Sequence, residues 1–241
     1  MSKSNTYKAG RHFLQVPGST NIADRVLRAI DAPAMDHRGP KFQDLSKRIL
    51  ERIKLIFKST DPVVIFPSAG TGAMEAALAN TLNEGDKVLM FETGHFATEW
   101  CQAAQRYRIN VDFVPGDWRT GADPKIVEQK LLADKKHEIK AVLITHNETS
   151  TGIKSRVEEI RKAIDKTNHP ALFMVDTISS LGSYNYEHQK WKVDVTVGGS
   201  QKGLMCPPGL SFNVISNKAL EAYKSSKIVK SYWHWGQMLE N

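Results

Sequence analysis

The chain has 241 residues, 41% of them hydrophobic, enough to bury one sizeable core. Its formal net charge is +7, yet the 33 Lys and Arg are interspersed with 26 Asp and Glu. The basic excess therefore reads as solvated faces, and no nucleic-acid-binding motif accompanies it. The two cysteines, Cys101 and Cys206, lie far apart with no metal-ligand spacing, which argues against a disulfide framework or a zinc site and for a reducing compartment.

Residues 1 to about 20 read as a polar arm without an apolar segment of signal-peptide length. No run in the chain approaches the ~18 apolar residues of a membrane span. The expectation is a soluble, intracellular protein with no membrane partner, cytoplasmic, or peroxisomal if a full-length eukaryotic parent exists. After the arm, residues 21–241 read as one large domain. NIADRVLRAI and KFQDLSKRILERIKLIF have the spacing of two helices that precede a sheet.

From residue 62 onward, short runs rich in Val, Ile and Phe alternate with helical patterns. The strand-like runs are PVVIFP, KVLMFE, VDFVP, KAVLITH, ALFMVD, VDVTVGG and LSFNVIS. Between them TGAMEAALANTL, ATEWCQAAQRY, DPKIVEQKLLAD and VEEIRKAIDKT carry apolar residues at helical spacing. Such alternation predicts an α/β fold: a mostly parallel, seven-stranded sheet covered by helices on both faces.

Four joints of this frame carry chemistry. Ser68, Ala69, Gly70, Thr71 and Gly72 connect a strand to a helix, and small residues at a helix N-terminus make an anion cup. The same residues also suit a plain tight turn; the cup lacks the lysine of a P-loop and the spacing of the dinucleotide fingerprint. HNETST, residues 146–151, delivers a strand into polar residues that either serve a ligand or satisfy a turn. Asp176 ends an apolar strand and requires a cation, unless it caps a helix. Lys202 follows an apolar strand and two glycines and precedes Cys206-Pro207-Pro208-Gly209. That framing puts it at the carboxyl edge of the sheet, where α/β proteins keep their ligands, although a lone loop lysine is ordinarily just solvated.

The order of these joints, and the words around them, resembles the fold-type I pyridoxal-phosphate enzymes. Within them the chain is most similar to the class V aminotransferases of the serine–glyoxylate and alanine–glyoxylate branch. FLQVPGSTNIADRVLRAI, DHRGPKF, SAGTGAMEAAL, HNETSTG, VDTISSLG, GSQKGLMCPPGLSF and YWHWGQML carry the resemblance, which spans essentially the whole chain. It implies pyridoxal 5'-phosphate as cofactor, with Lys202 as the amine that links to it and shuttles a proton, and Asp176 as the partner of its ring nitrogen. It further implies that Ala69, Gly70, Thr71, Gly72 and Gln201 serve the phosphate end, Thr149 the ring hydroxyl and Phe96 the ring face.

The reaction so implied is transamination of a small amino acid, serine, alanine or aspartate, with glyoxylate as acceptor, in a homodimer. The alternative within the class is a lyase of cysteine-desulfurase type, for which His95 and Cys206 are the candidate groups. The family normally continues into a small C-terminal domain that brings an arginine for the substrate carboxylate, and nothing here matches it. The chain is thus expected to be a C-terminal truncation, weak or inactive as a catalyst, or a cofactor-binding or dimerisation module. Loss of that domain would leave Tyr232, Trp233 and Trp235 as unpartnered apolar surface.

Overall fold

The computed structural model describes residues 13–240. All seven apolar runs are strands of one sheet: β1 (Val63–Ser68), β2 (Lys87–Phe91), β3 (Asn110–Val114), β4 (Ile139–Thr145), β5 (Leu172–Asp176), β6 (Val195–Gly199) and β7 (Gly209–Ile215). They lie in the order β1-β7-β6-β5-β4-β2-β3. β7 is antiparallel to both its neighbours and every other pair is parallel. The sheet is therefore the mostly parallel one expected. Central β5 is buried at every residue, which explains its sequence: with both faces covered there is no alternation, and LFMVD is an apolar run closed by one carboxylate.

Helices α1 (Asp24–Ile30) and α2 (Pro40–Phe57) precede the sheet. Its connections carry α3 (Gly70–Thr81), α4 (His95–Arg106), α5 (Pro124–Ala133) and α6 (Val157–Thr167), and α7 (Asn217–Ser225) and α8 (Trp235–Leu239) follow β7. α3 is small and apolar all round because it packs between the sheet and both α4 and α7. α6 has one buried stripe, Val157, Ile160, Ala163 and Ile164. Its outer face carries the ion pair Lys162–Glu158 at 2.9 Å, while the largely buried Arg161 reaches Asp165 at 2.6 Å from over the Phe173 ring, both at the i,i+4 spacing of helix pairs. One core, on the α3 side, gathers Phe66, Met74, Trp100 and Trp235. The other, beneath α5 and α6, gathers Phe57, Ile160, Phe173 and Phe212.

The first twelve residues of the expected polar arm lie outside the described residues. Residues 13–20 form neither helix nor strand, and Phe13, Leu14 and Val16 are exposed, so this part is not polar. Thr20 fastens the segment to its own chain. Its amide donates to the Gln201 carbonyl at 3.1 Å and its hydroxyl to the Lys202 carbonyl at 3.0 Å. No helix among the described residues is long and apolar enough to cross a membrane.

The C-terminal aromatics depart from expectation. Trp235 is not surface: it is fully buried, with its indole N–H donating to Asn213 Oδ1 at 3.1 Å and its amide to Asn80 Oδ1 at 3.1 Å. Asn80 in α3 and Asn213 in β7 supply the polar partners that let a tryptophan enter the core. Trp233 is half-buried, edge-on to Phe66 at 5.3 Å, and Tyr232 alone of the three is exposed. Trp235→Ala should therefore cost roughly 3–5 kcal/mol of stability. Val229→Ala, at a residue 96% exposed, should stay within about 0.5 kcal/mol. Urea unfolding of the two variants checks both.

Candidate active site

β1, β4, β5 and β6 point their carboxyl ends at one place, and each is followed there by a chemistry-bearing turn. After β1, α3 begins at Gly70 with Ala69 as N-cap and no capping side chain. Its first-turn amides, and the positive end of its dipole, are thus presented to whatever lies in front. The turn is packed from behind. A Cβ on Gly70 would collide with the Ile178 side chain, and one on Gly72 with Ser68 and Trp233. Tyr232 adds a hydroxyl bond to the Pro67 carbonyl at 2.8 Å. The YWHW segment is therefore a buttress behind the anion cup.

Asp176 ends β5 with 3% of its surface exposed. Its carboxylate accepts the Ile178 amide at 2.8 Å and forms no ion pair among the described residues. The capping alternative is met by that amide alone, since a turn and not a helix follows. Burial pushes the carboxyl up to about 7; the Ile178 amide and the Lys202 charge oppose the rise, and the Glu148 charge adds to it.

Lys202 sits in the turn between β6 and β7. The turn is fixed by Ser200, whose hydroxyl donates to the Pro207 carbonyl at 2.6 Å, and by the Met205 amide on the Lys202 carbonyl at 2.9 Å. A Cβ on Gly203 would strike the Leu181 carbonyl, so the glycine after the lysine is a packing requirement. The Lys202 amine makes no hydrogen bond among the described residues and lies 5.7 Å from the centre of the Phe96 ring. Burial lowers its proton affinity, and the Asp176 charge partly restores it.

One cavity unites these parts. Ala69, Gly70 and Thr71 line one end, Asp176 and Lys202 the middle, and Phe96, Thr149 and Gln201 also face it. Eight of the nine residues singled out in the sequence therefore meet. Gly72 is the exception: it is buried against Ser68 and Trp233, outside the lining, because the helix has already turned it away. Met74, Ile178 and Ser179 line the cavity without having been singled out. Met74 lies one helical turn beyond Gly70, and the other two lie two and three residues after Asp176, so extending each motif by one turn would have found them.

The lining fits a flat, phosphorylated ring with a basic nitrogen. A helix N-terminus suits the phosphate, the Phe96 ring suits stacking, and the unpaired buried carboxylate suits a protonated nitrogen. Gln201 Oε1 is buried without a hydrogen-bond partner among the described residues, whereas a phosphate, which only accepts, would take the Gln201 side-chain N–H. His95 is 58% exposed, pairs with Glu99 at 3.4 Å, and does not line the cavity. Cys206 is half-buried in the lysine turn and likewise outside the lining.

The family model for class-V aminotransferases matches residues 13–233. The chain belongs to that family, whose members depend on pyridoxal phosphate. The serine–glyoxylate aminotransferase of Methylorubrum extorquens is 46% identical over 95% of this chain and 59% of that protein. The L-aspartate–glyoxylate aminotransferase of Paracoccus denitrificans is 44% identical over 90% of this chain and 55% of that protein. The crystal structure of an alanine–glyoxylate aminotransferase from Nostoc sp. superposes with a TM-score of 0.87 at 27% identity, over 99% of this chain and 63% of that one. The chain thus spans less than two thirds of the length of each of these relatives.

The raised Asp176 carboxyl has a consequence for stability. Its ordinary value is 3.8 and its folded value is about 7, so between these the native state binds more protons than the unfolded one. Its contribution is present at low pH and is lost as pH rises towards 7, at a cost of up to about 4 kcal/mol in the unliganded chain. Asp176→Asn should abolish that decline, as measured by urea unfolding at about pH 4 and about pH 8. The same pH slope in both proteins would show that Asp176 does not carry it.

Proposed function

We propose that the chain binds pyridoxal 5'-phosphate and provides the cofactor site of an aminotransferase that passes the amino group of a small amino acid to glyoxylate. The observation that carries this reading is the cavity itself, where a buried carboxylate without a cation stands beside an amine of lowered proton affinity, within reach of an uncapped helix N-terminus. The bound cofactor supplies the electron-withdrawing ring that makes the substrate Cα–H acidic.

In this reading Ala69, Gly70 and Thr71 hold the phosphate with backbone amides and the Thr71 hydroxyl, and Gln201 adds its side-chain amide. Thr149 meets the ring hydroxyl and Phe96 covers one face of the ring. Asp176 keeps the ring nitrogen protonated, since its charge is compensated only when a cation sits against it. Lys202 would carry the proton between substrate Cα and the cofactor carbon to which the amino group becomes bonded. Burial shifts it towards the neutral, basic form that a general base requires. Serine, alanine and aspartate are the candidate donors, because the relatives named above use them with glyoxylate. Exposed Leu27 and Ile30 on α1 and Leu55 on α2 support a homodimer. The lyase alternative lacks support: its imidazole and thiol, His95 and Cys206, lie outside the cavity lining.

Borohydride reduction in the presence of pyridoxal phosphate should fix the label on the peptide containing Lys202; label on another lysine would overturn the assignment. Lys202→Ala should lower conversion of serine, alanine or aspartate with glyoxylate by about 10²–10⁴-fold. Asp176→Asn should reduce turnover far more than cofactor occupancy, and equal losses would make Asp176 structural. Glycine formation from glyoxylate reads the turnover. Free sulfide from cysteine in its place would favour the lyase.

A further inference from the structure

Glu148 is fully buried, and the reaction described above does not use it. Its carboxylate lies between two walls of the cavity. On one side it accepts the Phe96 amide at 3.3 Å and the Ala97 amide at 3.0 Å, both in the first turn of α4. On the other it accepts the Ser150 amide at 3.1 Å and the Ser150 hydroxyl at 2.8 Å, in the loop that carries Thr149. Ser150 Oγ in turn accepts the His95 amide at 3.0 Å. A second stitch runs from the Thr151 hydroxyl to the Thr93 carbonyl at 3.3 Å. The fit is tight enough that a Cβ on Gly94 would collide with the Glu148 side chain.

We infer that Glu148 is a positioning residue: one buried carboxylate clamps the turn bearing Phe96 to the loop bearing Thr149, so that the ring-covering and hydroxyl-binding walls of the cavity move as a unit. A carboxylate suits the task better than an amide. All four of its bonds are accepted, and its charge is compensated by the α4 amides and dipole instead of by a cation. Oε1 takes the Phe96 amide and both Ser150 bonds and so spans the two walls, while Oε2 takes the Ala97 amide; an amide side chain would set a donor against the Ala97 N–H, or, turned over, against the other three donors. The link to cofactor binding rests on the function proposed above; the clamp itself is a property of the chain alone.

The test has one readout that is independent of any ligand. In the unliganded chain, Glu148→Leu, which removes both acceptor oxygens, should accelerate amide hydrogen exchange in residues 95–98 and 149–151 together, by about tenfold or more for the loss of a hydrogen bond to a charged group. Exchange in α3 should not change. Acceleration of one segment alone, or of neither, would overturn the clamp. The second readout is the pyridoxal-phosphate dissociation constant in a double-mutant cycle with Phe96→Leu. Because Glu148 acts through Phe96 as well as Thr149, the double variant should lose less affinity than the sum of the two single losses. Additive losses would overturn the coupling to Phe96. Should Glu148→Leu not fold, Ser150→Ala removes the hydroxyl bond to Glu148 and the acceptor of the His95 amide but leaves the three amide bonds to the carboxylate; it should accelerate the same two segments to a smaller degree, and unchanged exchange there would count against the clamp. Failure of the unmodified chain to bind pyridoxal phosphate would overturn the proposed function, while the exchange readout would still decide the role of Glu148.

Discussion

Asp176 stands at the end of a strand with no exposed residue, and the chain offers its carboxylate the Ile178 amide but no ion pair among the described residues. A buried charge left this way raises the free energy of the empty fold, and burial accordingly pushes the carboxyl up to about 7. Much of the architecture exists to make that position possible. A parallel sheet with helices on both faces is the arrangement that buries a strand completely. The carboxyl ends of its strands are where a strand can stop and release a polar side chain without breaking the ladder.

The anion cup depends on a different kind of support. Small residues let α3 start hard against β1, but the same smallness leaves the turn without side chains of its own to hold it. The structure fills this gap from far along the chain: Trp233 packs at Gly72, Tyr232 bonds the Pro67 carbonyl, and Asn80 and Asn213 anchor Trp235 beneath. The uncapped amides can thus remain unsatisfied towards the cavity while the backbone that carries them stays fixed. A side-chain cap would stabilise the helix locally and occupy the groups that a phosphate needs.

Most of this was legible in the sequence, for physical reasons that also mark the limit. The seven strands were readable because fully covered strands need continuous Val, Ile and Phe runs, and the connecting helices because their apolar stripe recurs every three to four residues. That β7 runs antiparallel was not readable, since an apolar run has no direction. Asp176 and Lys202 stood out because a carboxylate ending an apolar strand and a lysine framed by glycine and proline are locally anomalous. Trp235 was misread as surface because its partners, Asn80 and Asn213, are remote in sequence and look like ordinary polar residues there. Gly72 does not line the cavity, because one further step of helical rotation sets it against Ser68 and Trp233. Glu148 carried no local sign of its role: in HNETST it is one polar residue among several, and only the fold shows α4 delivering two amides to it.

The three ionisable groups of the site form one electrostatic balance. Glu148 raises the proton affinity of Asp176, Asp176 raises that of Lys202, and burial works against the charged form of both. Glu148 differs in facing the first-turn amides of α4. A cation brought to Asp176 therefore shifts the whole balance: it restores the Asp176 charge by pairing with it, and the paired carboxylate then attracts the Lys202 ammonium less than a bare one would. Burial is left as the dominant influence on the lysine, and it favours the neutral amine. In the proposed function, a cation at Asp176 would thus lower the proton affinity of Lys202, at the end of the neighbouring strand.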